Sequence, residues 1–381
     1  MIREIINFTA NIDEQFKNLG SMPKEGLHIM LNMVSIDNIL KIAVENYQYE
    51  IYSKKQKKEV SEFLNQCKLL HQNAWCIDTN KCLDLPTKAI HSCSPYCIAF
   101  KKEHLKNGEK YKENEKKNKI QIYKRFDNYF DKAFALFEHQ EDGLRYEIFK
   151  LFFTHDLFSS IITRIETENT KKREVLTEKV RASKNDLKAT KTTIEKEAIK
   201  NSISEMEQDL IACKELDDSD YIIFYLNLPL EEYKNVHKKY LNDKLFNTDK
   251  YNTKPDKDGV IFGTSNFMNG FNSNMPFLMH QTASFDITGR ISNIDAQLLN
   301  EFQNLLPNKT LPNPLPIFIY KEELQDTMIA LFKDSDFKFG YKEIIENLLN
   351  NYSKDIENYY LLYWINTKDG IVFKDFDFAD F

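Results

Sequence analysis

Several things are missing from this chain, and each absence narrows what it can be. No run of about 18 apolar residues occurs, and the opening MIREIINF has no apolar core followed by a small-residue cleavage site. A membrane-spanning helix and a secretory leader are therefore not expected, and a soluble, cytoplasmic protein is. The six cysteines, Cys67, Cys76, Cys82, Cys93, Cys97 and Cys213, follow no regular framework. A chain this long needs no disulfide staples, so they read as reduced thiols.

Catalytic signatures are missing too. There is no GxxxxGK[ST], no GxGxxG after a strand, no GxSxG and no HExxH. The pair His155–Asp156 has the form found in metal-dependent phosphohydrolases, but no second histidine pair accompanies it. His155 also continues the apolar helical series Leu144, Ile148, Leu151 and Phe152, where a core or interface histidine is expected. Cys76-x5-Cys82 and Cys93-x3-Cys97 offer four thiols at spacings poorly suited to zinc, and buried thiols are the simpler reading. The expectation is a protein that is not an enzyme, with no catalytic residues, no metal and no cofactor.

What is present is ample material for a core. Hydrophobic residues make up 42% of the 381, with 28 Phe and 19 Tyr, and a chain of this length is expected to fold as two or three packed units. The net charge of −6 is unevenly spread. Residues 321–381 hold 7 basic and 13 acidic side chains, which leaves 45 of each in residues 1–320. Within that neutral part, Lys101–Arg125 holds 10 basic against 4 acidic residues.

Patterning predicts an α+β fold: a mixed sheet body, an inserted helical hairpin and a helical C-terminal part. A short helix is expected over Ile2–Phe16, and strands over Leu27–Leu31 and Ile39–Tyr52 as a hairpin or meander. A helix over Lys54–Leu70 follows, then short apolar runs at Trp75–Ile77 and Ala89–Phe100. Two further helices carry Phe126, Phe130, Ala133, Phe134 and Phe137, then Leu144, Ile148, Leu151, Phe152 and His155, with Gly143 at the break. From Glu166 to Asp218 there is no glycine or proline, and a sparse apolar series, Val175 to Leu210, predicts a largely solvated helical hairpin. Asp220–Asn227 is the clearest strand. Pro229 opens a helix running to Leu245, with Glu231 and Glu232 placed where its dipole favours them. Helices over Ile294–Leu306, Glu322–Lys333 and Tyr341–Tyr352 and strands at Ile317–Tyr320, Tyr359–Ile365 and Gly370–Phe376 complete the pattern. The regions expected are 1–165, 166–218 and 219–381.

Two stretches point to a partner. The lysine segment, with Lys101, Lys102, Lys106, Lys110, Lys112, Lys116, Lys117, Lys119, Lys124 and Arg125 interleaved with Tyr111 and Tyr123, suits phosphate contacts without sequence reading; a solvated loop is the alternative. Phe262–Ser292 gathers Gly263, Gly270 and Gly289, three of the ten glycines, with Asn266, Asn269, Asn272, Asn274, Phe267, Phe271 and Phe277. Backbone freedom, amides and flat apolar surface coincide there, as in a loop built to touch something.

MIREIINF with EGLHIML, SCSPYCIAFKKEHL, DYIIFYLNLPLEEYKNVHKKYLNDKLFNTDKYNT, PFLMHQTASF with GRIS, and LPNPLPIFI together resemble the large subunit of type I-B CRISPR surveillance (Cascade) complexes. The resemblance implies a non-nuclease α+β subunit at the foot of a crRNA-bound backbone. Such a subunit recognises the protospacer-adjacent motif in double-stranded target DNA and helps open it. The partners implied are the crRNA-bound backbone subunits and target DNA, with a separate small subunit and a recruited helicase-nuclease as further ones. Family members usually continue into a helical region resembling the small subunit, and this chain stops at FDFADF ahead of it. On that reading Asn266, Asn269, Asn272 and Gln281 read base edges, Phe271 or Phe267 wedges a base step, and His280 and Arg290 hold phosphates, as Lys112, Lys116, Lys117 and Lys119 do. The alternatives are a loop tied down by His280, Thr282 and Phe285, and, for the whole chain, a divergent metal-dependent nuclease or a purely structural scaffold.

Overall fold

Two short runs with no solvent-facing position, Leu27–Leu31 and Ile222–Leu226, set the architecture, because a strand apolar on both faces must lie inside a sheet covered on both sides. The computed structural model describes residues 2–18, 20–36, 39–56, 59–105, 122–137, 143–190, 192–246, 252–254, 257–264, 290–319, 321–333, 340–352, 356, 358–367 and 370–379. In chain order the helices are α1 (Ile2–Asn11), α2 (Glu14–Lys17), α3 (Glu62–Gln72), α4 (Phe126–Phe134), α5 (Gly143–Thr154), α6 (Leu157–Ala189), α7 (Thr193–Ala212), α8 (Leu230–Lys244), α9 (Asn293–Leu305), α10 (Glu322–Lys333) and α11 (Tyr341–Tyr352). The strands are β1 (Gly26–Ile36), β2 (Ile39–Tyr52), β3 (Cys97–Lys101), β4 (Tyr221–Leu226), β5 (Phe262–Gly263), β6 (Ile291–Ser292), β7 (Leu315–Phe318), β8 (Tyr359–Thr367) and β9 (Gly370–Ala379). The fold is α+β.

The chain forms two units, Met22–Tyr240 and Met1–Ser21 with Leu241–Phe381. This differs from divisions at 165 and 218, and strand pairing is the reason. β4 enters between β1 and β3 in the order β2-β1-β4-β3, so residues just past 218 complete the N-terminal sheet. The β1–β4 pair is parallel, from Gly26↔Tyr221 to Leu31↔Leu226, and the other two pairs are antiparallel.

The first unit's interior is aromatic. Phe153 is its hub, with ring centroids 5.0 Å from Phe149, 5.1 Å from Phe126, 5.2 Å from Phe224 and 5.4 Å from Phe158. Phe149 and Phe224 meet it edge to face, the geometry their quadrupoles favour. The Tyr129 hydroxyl, fully buried, sits 2.7 Å from the Ser94 carbonyl and 2.9 Å from Ser92 Oγ, which fixes the approach to β3 from α4.

Helix α5 corrects one expectation. Its buried face is Tyr146, Phe149, Phe152 and Phe153, whereas Leu144 and Leu151 are 65% and 46% exposed. Both faces of this helix are apolar, so spacing alone identifies two candidate core stripes, and the larger aromatic side chains occupy the interior because they bury more area. His155 moves with the correction: it is exposed, in the turn between α5 and α6, and Asp156 beside it adopts left-handed backbone (φ 56°).

The stretch expected as a helical hairpin lies in α6 and α7. At 33 residues, α6 is about 50 Å long. Its root is tied to β2 by the Arg164–Glu45 fork (2.7 and 3.0 Å) and by Tyr49 donating to Glu168 (2.9 Å), and Lys184–Glu207 (2.7 Å) links α6 to α7. Among the described residues, no helix is long and apolar enough to cross a membrane.

The second unit packs α1 against α9, with Phe8 and Phe302 edge to face at 6.0 Å. Ile5, Phe16, Leu315, Ile317, Met328, Leu348 and Trp364 share that core. The helix expected over Ile2–Phe16 breaks at Ile12–Asp13, because the Asp13 carboxylate caps Phe16 N (2.6 Å) and starts α2 anew. Its main sheet runs β7-β8-β9, antiparallel throughout, with β9 at an edge.

The two tryptophans, Trp75 and Trp364, lie one in each unit, so fluorescence separates their unfolding. Phe153→Ala should destabilise the Trp75-reported transition by about 3–5 kcal/mol in urea, whereas Leu144→Ala should change it by less than about 0.5 kcal/mol. A large loss from Leu144→Ala would return the core to the other face of α5.

Candidate nucleic-acid interface

The first unit gathers cations and flat rings at one place that no single stretch of sequence displays. Gly26 makes it possible. Its φ is 137°, and a Cβ there would stand 2.1 Å from the Tyr221 carbonyl oxygen, so only glycine lets the start of β1 lie against β4 this closely. Tyr221 N donates to Glu25 O (3.2 Å), and the preceding residue, Lys24, comes over the Tyr221 ring.

Lys24 Nζ is 4.9 Å from the Trp75 ring centroid and 5.3 Å from that of Tyr221, and the two rings meet edge to face at 5.0 Å. The ammonium is thus held by two π systems. Burial is the main cause that lowers its pKa; repulsion from Lys54 and Lys101 adds to it, and the Cys76 thiol opposes. No carboxylate contributes. Trp75 is held rigidly: Cys76 N donates to His91 O (3.0 Å) and Cys93 N to Ala74 O (2.8 Å), which pins its backbone beside residues 91–93.

Histidines complete the floor. His91 Nε2 lies 3.0 Å from the Lys88 carbonyl, which can only accept, so Nε2 carries the proton and Nδ1 accepts from the Tyr221 hydroxyl at 2.8 Å. The same logic makes His28 Nε2 a donor to Lys24 O (2.7 Å) and its Nδ1 an acceptor from the Tyr225 hydroxyl (3.1 Å). His71 lies 4.3 Å from Trp75, ring to ring. Burial pushes the pKa of each of these three rings down, that of His28 to about 4. All three are therefore neutral at pH 7, and the positive charge here belongs to the lysines.

Lys24, with Lys54 and Lys101 close enough to repel it, can hold phosphates, while Trp75 and Tyr221 offer flat faces to a base. Lys24, Trp75, Tyr221 and His91 are half-buried and reachable from solvent. Of the expected phosphate ligands, Lys102 and Arg125 have other roles. Lys102 is buried, 2.6 Å from Glu166 and donating to Leu216 O, and Arg125 pairs with the fully buried Asp84 at 2.8 Å. Lys112, Lys116, Lys117 and Lys119 lie outside the described residues.

In the second unit, β5 and β6 pair as Phe262↔Ser292 and Gly263↔Ile291 and close the two ends of the glycine- and asparagine-rich stretch. A Cβ on Gly263 would stand 2.4 Å from Asn252 Oδ1 and 2.5 Å from the Phe246 ring. Asn252 Oδ1, Thr264 Oγ1 and Arg290 Nε are each buried without a hydrogen-bond partner among the described residues. Among the described residues, Arg290 is the one expected DNA contact of this stretch, and its buried Nε finds no acceptor among them. Asn266, Asn269, Phe271, Asn272, His280 and Gln281 lie outside the described residues.

Cys67, Cys76, Cys82, Cys93 and Cys97 are buried, and Cys213 is half-buried. Burial pushes the Cys76 thiol up to about 12, and those of Cys93 and Cys97 well above the usual range, so they are poor nucleophiles. Among the described residues, no group of three or more His, Cys, Asp or Glu side chains is arranged to hold a metal ion. No family model, curated protein or solved structure matches this chain.

Sequence reading passed over Lys24, and no local signal would have found it. It lies 51 positions from Trp75 and 197 from Tyr221. The parallel β1–β4 pairing brings Tyr221 to it, and the bridge between Trp75 and Ser92 holds the second ring in place.

The buried histidines predict acid lability. His28 titrates near 4 when folded and near 6.5 when unfolded, so between those values the unfolded chain binds more protons; stability is full above about 6.5 and falls as pH decreases. From pH 7.5 to 5.0 His28 alone should cost roughly 2 kcal/mol. His28→Gln, which keeps a donor for Lys24 O, should flatten the decline of the Trp75 transition by that amount, and an unchanged decline would remove His28 as its source.

Proposed function

We propose that this chain is a non-catalytic, cytoplasmic large subunit of a type I-B CRISPR surveillance complex, which binds target DNA and recognises its protospacer-adjacent motif in antiviral defence. Sequence resemblance suggests the role. The single structural observation in its favour is Lys24 seated over the Trp75 and Tyr221 rings, with Lys54 and Lys101 close enough to repel its ammonium.

In this reading the lysines neutralise phosphates and Trp75 supplies a stacking face. Lys112, Lys116, Lys117 and Lys119 extend the phosphate contacts along the chain from β3. Base reading belongs to Asn266, Asn269, Asn272 and Gln281, with Phe271 as the wedge and His280 and Arg290 on phosphates. Arg290 suits that task because its buried Nε, which has no acceptor among the described residues, gains most from an arriving anion. The partners are crRNA-bound backbone subunits and duplex DNA, with a separate small subunit and a helicase-nuclease joining them.

The reading is tested by the salt dependence of duplex binding, first for the pure chain and then for complexes assembled with crRNA and the backbone subunits. Affinity should fall steeply with salt, and Lys24→Gln, Lys54→Gln and Lys101→Gln should each reduce the slope by up to about 0.9. Trp75→Ala should weaken binding by about 1–3 kcal/mol if a base stacks on it. A parent chain with no salt-dependent affinity would instead be a structural scaffold. Failure to co-purify with crRNA and backbone subunits would sink the CRISPR assignment even if DNA binding survived.

A further inference from the structure

Among the described residues, strand β9 is the most exposed strand of the second unit and lies at the edge of its sheet, hydrogen-bonded to β8 on one side only. Phe376 and Phe378 are 59% and 45% exposed, and Val372 is 39% exposed. Long apolar edge strands invite further strands and are normally blunted by charge. Here the charges are Lys374, Asp375 and Asp377, all solvent-exposed, and the two carboxylates do more than repel. Phe376 N donates to Asp375 Oδ1 at 2.9 Å and Phe378 N to Asp377 Oδ1 at 2.8 Å, so the two carboxylates cap amides of the edge strand itself.

We propose that β9 is a strand-addition site for an extended segment of a partner protein in which Lys or Arg alternates with apolar residues. Alternation along the strand places Asp375 and Asp377 on one face and Phe376 and Phe378 on the other. An incoming strand of matching period sets its cations against the carboxylates and its apolar side chains against the phenylalanines. Those cations also draw the carboxylates away from the amides they cap.

Charge disfavours a second copy of this chain as the occupant in the register that aligns Phe376 with its counterpart. An antiparallel β9–β9 pair centred on Phe376 would set Asp375 directly opposite Asp377 of the other copy, twice over, and like charges in directly opposed positions destabilise a sheet. The same two side chains that disfavour that self-pairing favour a basic strand. This inference does not rest on DNA binding by the first unit.

The test uses the full chain and a fluorescein-labelled hexapeptide alternating lysine and valine, read by anisotropy. Controls are the glutamate–valine counterpart and the lysine peptide N-methylated at alternate residues, which keeps its charge and removes amide donors. The lysine peptide should bind, the glutamate peptide should not, and N-methylation should abolish binding. The double variant Asp375→Asn/Asp377→Asn should bind about tenfold more weakly, since it loses two charge pairs. Asparagine retains Oδ1 to cap the following amide, and an unchanged Trp364 melting transition checks the fold. Equal binding of the N-methylated peptide would reduce the effect to surface electrostatics and overturn strand addition. So would absence of binding, equal affinity of the double variant, or a dimer in sedimentation that Phe376→Ser dissociates.

Discussion

The first unit depends on the parallel pairing of Gly26–Leu31 with Tyr221–Leu226. Parallel neighbours cannot be joined by a tight turn, so the chain must leave β1 and return over the sheet before β4 can enter beside it. Nearly everything distinctive about the unit lies on that excursion: the aromatic helices α4 and α5, the long α6–α7 pair and the β3 edge. The contact that admits the pairing is one of backbone on backbone, Gly26 against Tyr221, and there is no room for a side chain. Closing so long a loop is slow but not prohibitive, since its entropic cost grows only with the logarithm of length.

That closure also explains which parts of the molecule can be read in the sequence. β4, α8, α9, α10, α11 and the β8–β9 hairpin each carry their own periodicity, caps or turn, and the residues that define them are neighbours in the chain. Ser292, whose hydroxyl accepts from Asp295 N at 3.0 Å, starts α9 by a purely local device. Helix α5 fails as a local problem because both of its faces are apolar, and the choice between them is made by Phe126, Phe158 and Phe224, which lie outside the helix. The cation–π cluster fails more completely. Lys24 follows a proline and precedes a glutamate, an ordinary setting, and it gains its role only from rings delivered by two other segments.

The buried histidines belong to the same tertiary logic. His28 sits on a central strand, where a polar side chain is tolerated only with both ring nitrogens engaged, and the Lys24 carbonyl and Tyr225 hydroxyl engage them. Its hydrogen bond to Lys24 O holds the backbone of the residue whose ammonium lies between the two rings. The cost of burying an imidazole therefore fixes the position of a cation, and losing its neutrality at low pH would loosen both at once.

Charge in the second unit has an equally local meaning that net composition hides. The acidic excess of residues 321–381 reads as a solvated acidic region, yet Asp375 and Asp377 each turn a carboxylate oxygen back onto the next amide of β9. An edge strand with phenylalanine at alternate positions needs such protection, because its exposed backbone and rings would otherwise favour pairing with any compatible strand. Carboxylates achieve this in two ways: they occupy amide hydrogens and they repel a copy of themselves. Lysine on the edge would repel as well but could not accept from an amide, having no lone pair available when protonated. The choice of aspartate is therefore explained by the backbone it caps, and the sign of the charge, fixed by that need, determines what kind of strand the edge admits.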